Sequence, residues 1–259
     1  MKKRRSEPLK ESTAAIAQFT YPTLRSGRCL MATQTPHGQQ DQKSKKRRDA
    51  SVHIRQGELD GACGQHCLLM ALTIFGVQPR GGWDPIFSRS SGPHQALSTT
   101  MKTNFFSGPF IDDLIKYIDA APIAISHVAC RSRSNRSAHY VERFCLKHLR
   151  AGSLVMVVVL TSPLATGHWT LIVGHEEEQT DAGDSRAAAA RTRQRVSVAR
   201  ALLCLDSCGP APSINAYNAR LDLTARKGEL QKYQYVTSDG RTWRVMMTEA
   251  IAPPITTQP

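Results

Sequence analysis

The run of apolar residues at 154–160 is the feature that most constrains the fold of this chain. It reads LVMVVVL and contains no polar residue. A β-branched run without alternation favours a strand that is buried on both faces, in the middle of a sheet. Further strand-like segments follow at 169–174, 201–205, 231–237 and 242–249, the last two as a hairpin around 238–240. The second half of the chain is therefore expected to form a sheet.

The segments before this run have helical spacing instead. Segment 62–75 is apolar nearly all round, 109–120 opens on a proline, and 138–150 is amphipathic. The Gly-, Pro- and Ser-rich stretch 78–108 is expected to be a long loop, and the charged, alanine-rich stretch 176–198 an inserted one. Helices followed by strands predict an α+β fold.

Positive charge is concentrated in residues 1–50. They hold twelve Lys and Arg against four Asp and Glu, which is +8 of the net +13. So polar a segment cannot bury a core, which predicts a disordered basic arm before a domain at 51–259. The hypotheses for the arm are contact with a polyanion, nuclear import through the cluster at 43–48, or a solvated tail without a specific role. No transmembrane segment or secretory signal is expected, because no apolar run is long enough.

The seven cysteines are scattered and odd in number. They are Cys29, Cys63, Cys67, Cys130, Cys145, Cys204 and Cys208. Their apolar surroundings favour free thiols in the cytoplasm or another reducing compartment, and the basic arm adds the hypothesis of delivery into a host cell. Two pairs, Cys63 with Cys67 and Cys204 with Cys208, have a spacing of four, so a zinc site of four thiolates is an alternative.

One thiol, one histidine and one carboxylate lie where hydrolytic chemistry needs them. Cys63 begins a predicted helix, whose partly positive N–H groups favour a thiolate. His168 precedes the strand-like segment 169–174, and Asp206 follows the segment 201–205. If these strands are antiparallel neighbours, Asp206 lies beside the imidazole and fixes its tautomer. Gln56, seven residues before Cys63, offers a side-chain amide to an oxyanion.

Three blocks of the sequence resemble those of a known family. DGACGQHCLLMAL resembles the D-C-G-x-x-C-L-x-M nucleophile motif of the papain-like peptidases that cleave bacteriocin leader peptides after a double glycine. The residues in register are Cys63, Gly64, Cys67, Leu68 and Met70. GHWTLIVG and LDS resemble the His and Asp blocks of that family, in the same order along the chain.

This resemblance implies a papain-like α+β fold, with a helical lobe carrying the nucleophile packed on an antiparallel sheet that carries His and Asp. It implies Cys63 as nucleophile, His168 as base, Asp206 as the residue that orients the histidine, and Gln56 as oxyanion donor. The family has its glutamine six residues before the cysteine, whereas this chain has it seven before. The activity implied is a bacterial cysteine peptidase that cuts peptide or isopeptide bonds of a protein or peptide through a thioester, without a cofactor or metal.

Several alternatives remain at this stage. Transglutaminase-like and arylamine acetyl-transfer enzymes share the Cys-His-Asp order but pass the thioester to an amine. A papain-like binding module would keep the fold and lack the activity. The blocks also resemble the proteases that deconjugate ubiquitin-like proteins, of which this chain would be a circular permutation. At the residue level, Cys63 could be an ordinary buried thiol, His168 a strand-end histidine and Asp206 a turn residue.

Overall fold

The computed structural model describes residues 52–56, 61–77, 83, 91–132, 139–161, 167–180, 196–212, 216–224 and 233–253. The basic arm predicted at 1–50, with Cys29, lies outside these residues. The helices are α1 (Cys63–Ile74), α2 (Gln95–Met101), α3 (Ile111–Asp119) and α4 (His139–Arg150), and a 3-10 turn (Lys102–Asn104) follows α2. The strands are β1 (Val128–Arg131), β2 (Val155–Leu160), β3 (His168–Thr180), β4 (Val196–Leu205), β5 (Ala219–Asp222), β6 (Tyr233–Thr237) and β7 (Thr242–Ala252).

The strands form a closed antiparallel barrel. Their order is β1-β7-β2-β3-β4-β5-β6, and β6 pairs with β7 as well. Strands β2 to β7 therefore close into a six-stranded barrel, and β1 adds a seventh strand alongside β7. Closure leaves every barrel strand with a hydrogen-bonded neighbour on each side.

The expected papain-like architecture, a helical lobe packed on a sheet, is wrong. The described residues form a closed six-stranded barrel with one extra strand and four helices. The difference arises at β7, whose eleven residues are long enough to pair with β6, β2 and β1. The alternation at 231–237 and 242–249 predicts the hairpin, which the β6–β7 pairing confirms, but it carries no information about the further partners of β7.

Two apolar cores explain the continuous run at 154–160. Val155, Val157 and Val159 point into the core inside the barrel, whereas Met156 and Val158 pack against the helices. The barrel core takes residues from all six barrel strands and from α4. The helix-side core lies between α1, α2, α3 and the outer face of β2 and β3. Since β2 is covered on both faces and pairs with β3 and β7, the prediction of a central strand is confirmed.

Short elements and element ends are where the sequence predictions fail. Helices α1, α3 and α4 lie where they are predicted, but α2 occupies part of the predicted loop 78–108. The predicted loop 176–198 is also too long, because β3 continues to Thr180 and β4 begins at Val196. Strands β1 and β5 have four residues each, too few for a clear pattern.

The six described cysteines are all free, and Cys208 alone among them is exposed. Within the described ranges, no helix is both long enough and apolar enough to cross a membrane.

Candidate active site

Cys63 is the first residue of α1. Its thiol is largely buried, with the residue 6 % exposed. The backbone N–H of Trp169 donates to the Cys63 Sγ at 3.4 Å, and the carbonyl oxygen of Gly61 lies 3.8 Å from the same sulfur. The sulfur thus lies where the N-terminus of α1 meets the start of β3, between one backbone N–H and one carbonyl oxygen.

His168 and Asp206 lie together across β3 and β4. These strands are antiparallel neighbours, with Leu171 opposite Leu205, so the first residue of β3 lies beside the residue that follows β4. The imidazole Nε2 donates to Asp206 Oδ1 at 2.8 Å. Because Nε2 is occupied in this way, Nδ1 is the nitrogen available to the thiols. Cys63 lies at the same end of β3, because its sulfur accepts the backbone N–H of Trp169, the residue after His168.

The protonation of this pair is set by its neighbours. Burial disfavours the carboxylate of Asp206, but hydrogen bonds from His168, the Cys208 backbone and Tyr235 outweigh it and lower the pKa of Asp206. Burial also disfavours the imidazolium, yet its contacts with Asp206, Cys208 and Cys63 raise the pKa of His168 well above its ordinary value. His168 therefore holds its proton more strongly than an ordinary histidine does.

Asp206 is held from several sides by buried groups. The hydroxyl of Tyr235, a barrel-core residue, donates to Asp206 Oδ2 at 2.8 Å. Burial and the nearby charge of Asp206 raise the pKa of Tyr235 well above its ordinary value, which keeps this hydroxyl a donor. Asn218 accepts from the Asp206 N–H at 2.7 Å and donates to its carbonyl at 2.8 Å. His53 Nε2 contacts the same carbonyl at 2.9 Å. Both the backbone and the carboxylate of Asp206 are therefore fixed.

Gln56 lies against the turn that follows Asp206. Its backbone N–H donates to the Ser207 carbonyl at 2.8 Å. Its side-chain oxygen accepts from the Ser207 hydroxyl and from the Cys208 thiol, each at 3.2 Å. The structure therefore brings Gln56 to the same site as His168 and Asp206. A donor to an oxyanion would have to be the side-chain nitrogen of Gln56. The two contacts made by the side-chain oxygen fix the orientation of the amide.

Close packing holds the loop before α3 against the start of α1. A Cβ on Gly64 would lie 2.4 Å from Pro109 Cγ and 3.1 Å from the Trp169 ring, so this position admits only glycine without a shift. The indole Nε1 of Trp169 donates to the Pro109 carbonyl at 2.9 Å. Trp169 thus joins the loop, the helix N-terminus and β3 beside Cys63.

The four-thiolate zinc arrangement does not form. Cys67 is fully buried in the helix-side core, and Cys204 in the barrel core. Among the described residues, the group whose ligand atoms are close enough to hold a metal is His168, Asp206 and Cys208, within 4.8 Å of one another.

The sequence did not predict four residues that lie at this site, namely Tyr235, Asn218, His53 and Cys208. Tyr235 reads as an ordinary inward residue of an alternating strand, and Asn218 precedes a strand too short to predict. Cys208 offered a signal, since it lies two residues after Asp206, within reach of the same turn.

Comparison of the chain with family models, with curated proteins and with solved structures gives no match to any of them.

Proposed function

We propose that the chain is a cysteine-type peptidase that hydrolyses peptide or isopeptide bonds through Cys63, His168 and Asp206. One observation carries this proposal. The imidazole of His168 donates through one nitrogen to the carboxylate of Asp206, which is 4 % exposed, and the next residue, Trp169, donates its backbone N–H to the Cys63 sulfur at 3.4 Å. The three residues come from separate segments, and this is the arrangement that activates a thiol nucleophile. The three sequence blocks that resemble bacteriocin leader-processing peptidases add independent support.

In the first half of the reaction, the Cys63 thiolate attacks the substrate carbonyl while His168 holds the thiol proton. The tetrahedral intermediate carries its negative charge on the former carbonyl oxygen. The first N–H groups of α1, which have no acceptor within the helix, and the Gln56 amide are the proposed donors to this oxygen. His168 then gives its proton to the departing amine as the C–N bond breaks, which leaves a thioester on Cys63.

In the second half, neutral His168 takes a proton from water, and the hydroxide formed attacks the thioester. Collapse of the second intermediate breaks the C–S bond, releases the carboxylic acid and returns the proton to the active-site pair. Asp206 remains a carboxylate throughout and keeps Nε2 protonated, so that Nδ1 is the nitrogen that exchanges the proton.

The test combines labelling of Cys63 with cleavage of a peptide library. In the full chain, iodoacetamide is expected to modify Cys63 faster than the other buried thiols, as located by peptide mass mapping. Cys63→Ala should abolish turnover and retain the fold, as judged by circular dichroism. His168→Ala should abolish turnover and slow Cys63 alkylation near pH 6, because it removes both the charge and the proton carrier.

His175 provides a matched control for His168. It lies on the same strand and also pairs with a carboxylate, that of Glu177 at 3.0 Å. His175→Gln should leave Cys63 alkylation at the wild-type rate. Full turnover by Cys63→Ala would refute the proposal. Rapid alkylation without hydrolysis, but with transfer of the acyl group to an added amine, would favour an acyl-transfer enzyme. Slow alkylation that His168→Ala does not change would favour a binding module.

A further inference from the structure

Cys208 has no part in the proposed reaction, yet its thiol faces the ring nitrogen of His168 that Asp206 leaves open. Its Sγ lies 3.9 Å from His168 Nδ1, whereas His168 Nε2 donates to Asp206 Oδ1 at 2.8 Å. Cys208, His168 and Asp206 thus form a chain of thiol, imidazole and carboxylate, which is the arrangement that activates a thiol nucleophile. One ligand atom from each of these three residues lies within 4.8 Å of the other two.

The backbone holds the Cys208 sulfur in this place. The Cys208 N–H donates to Asp206 Oδ1 at 2.8 Å, and the Gly209 N–H donates to the Asp206 carbonyl at 3.3 Å, which closes a turn over 206–209. The thiol itself donates to Gln56 Oε1 at 3.2 Å. The sulfur therefore stays beside the imidazole although the residue is exposed.

The charges around this thiol favour its reactive form. Burial opposes the imidazolium of His168, but its contacts with Asp206 and Cys208 raise the pKa of His168 well above its ordinary value, so that the ring is positive at neutral pH. Arg241, in the turn between β6 and β7, adds a positive charge that interacts with Cys208, while Asp206 is the opposing negative charge. An imidazolium beside a thiol favours the thiolate, which is the form that attacks a disulfide.

A disulfide at Cys208 takes its second sulfur from solution. The other described cysteines are all buried, in the helix-side core or in the barrel core. A buried thiol would have to leave its core to reach Cys208. A small reagent reaches it directly, because the sulfur is exposed and only its protein side is covered, by Gln56 and His168.

We propose that Cys208 is a modification site that takes up half of a small-molecule disulfide as a reversible mixed disulfide beside His168. The Cys208 thiolate attacks one sulfur of the reagent R–S–S–R, and its new S–S bond forms as the old S–S bond breaks. The leaving thiolate takes the proton that Cys208 has lost, so Cys208 is oxidised and the departing half of the reagent is reduced to RSH. Excess thiol reverses the exchange.

This modification does not depend on the proposed function, but its effect on turnover does. The group attached to Cys208 covers His168 Nδ1, which is the nitrogen that exchanges the proton in the proposed reaction. Turnover should therefore stop when Cys208 is modified and return when the mixed disulfide is reduced.

The first experiment treats the reduced full chain with oxidised glutathione and follows each cysteine by peptide mass mapping. At pH 6, Cys208 should be modified before every buried cysteine, and about tenfold faster or more in the wild type than in His168→Ala. Asp206→Asn should slow the reaction by less, and the matched control His175→Gln should not slow it. At about pH 9.5, above the ordinary thiol pKa of about 8.5, wild type and His168→Ala should react at similar rates. A variant that had unfolded would be recognised by labelling of its buried cysteines.

A second exposed thiol separates the effect of His168 from that of exposure. Thr99 is exposed on α2, so Thr99→Cys introduces a suitable reference thiol. This thiol should react more slowly than Cys208 at pH 6, and His168→Ala should not change its rate. Equal rates for the two thiols, or a Cys208 rate that His168→Ala leaves unchanged at pH 6, would overturn the inference. A disulfide between Cys208 and another cysteine of the chain would overturn it as well.

The second measurement is turnover of the modified chain before and after reduction with dithiothreitol, each variant being compared with its own untreated rate. The wild type should lose turnover and regain it, whereas Cys208→Ser should keep its own rate under the same treatment. Turnover that survives complete modification would refute the inhibitory effect. Histidine-dependent modification of Cys208 in a chain that cleaves nothing would support the modification site and refute the peptidase. Cleavage by a chain whose Cys208 stays unmodified would do the reverse.

Discussion

Tyr235→Phe removes one hydroxyl from behind the site and leaves the packing of the ring intact. The hydroxyl donates at 2.8 Å to a carboxylate that is itself buried, so the phenylalanine leaves Asp206 Oδ2 without this donor. A hydrogen bond to a charged group stabilises a protein by about 1.5–3 kcal/mol. We therefore expect the free energy of unfolding to fall by about that amount at neutral pH. Turnover should fall by at most about 10- to 100-fold, since 1.4 kcal/mol corresponds to a factor of ten.

The loss of stability in Tyr235→Phe should depend on pH. The pKa of Asp206 is lowered in the folded chain, so its stabilising contribution is present above the unfolded value of about 3.9 and is lost as the pH falls through the folded value. In Tyr235→Phe the folded pKa lies closer to the unfolded one. The stability difference between wild type and variant should therefore be largest above about pH 5 and should shrink in stronger acid. Urea unfolding from pH 3 to pH 8 measures it.

Tyr233→Phe is the matched control. Tyr233 lies two residues earlier on β6 and on the same face, but its hydroxyl donates to Glu142 at 2.9 Å. The control variant loses a hydrogen bond of its own, yet turnover and Cys63 alkylation should remain at the wild-type level. The reasoning is refuted if Tyr235→Phe keeps the wild-type stability at pH 7, or if Tyr233→Phe reduces turnover equally.

Two further variants separate packing from chemistry. Cys67→Ala should lower the free energy of unfolding by about 1 kcal/mol and leave turnover intact, because the thiol is fully buried. If the variant instead lost turnover and kept its stability in urea, Cys67 would be the nucleophile and Cys63 the structural thiol. Gly64→Ala should destabilise by about 1–3 kcal/mol and reduce turnover, because its Cβ displaces Pro109 or Trp169. Gly174→Ala, whose Cβ would meet nothing closer than 3.6 Å, serves as its control in both thermal unfolding and turnover; equal losses in the two variants would contradict the packing argument.

The candidate residues could be predicted because each lies at the end of a patterned segment. Cys63 begins an apolar helix, His168 begins a strand, and Asp206 follows the next strand along the chain. Antiparallel pairing of consecutive strands is common enough to place the latter two side by side. The local hydrophobic pattern and the order of the strands along the chain were sufficient to predict these positions.

The partners of Asp206 could not be predicted in this way. Tyr235 and Asn218 reach it from other strands or their flanks, and which inward residue meets which carboxylate depends on strand register. Closure of the barrel could not be predicted from the sequence for a related reason. It depends on the pairing of β7 with β2 as well as β6, and hydrophobic alternation reports which face is buried but not which strand lies alongside.

The side-chain alternation of β3 has a consequence for anyone who would transplant this site. His168 and Trp169 are consecutive, so one lies on the side of Asp206 and the other packs in the helix-side core beside Cys63. A one-residue insertion between the two would place both side chains on the same side of the strand, and a two-residue insertion would restore the sides but displace the imidazole by about 6–7 Å. The His-Trp dipeptide is therefore one unit of fixed length, and it can be grafted onto another scaffold only together with the register of the strand that carries it.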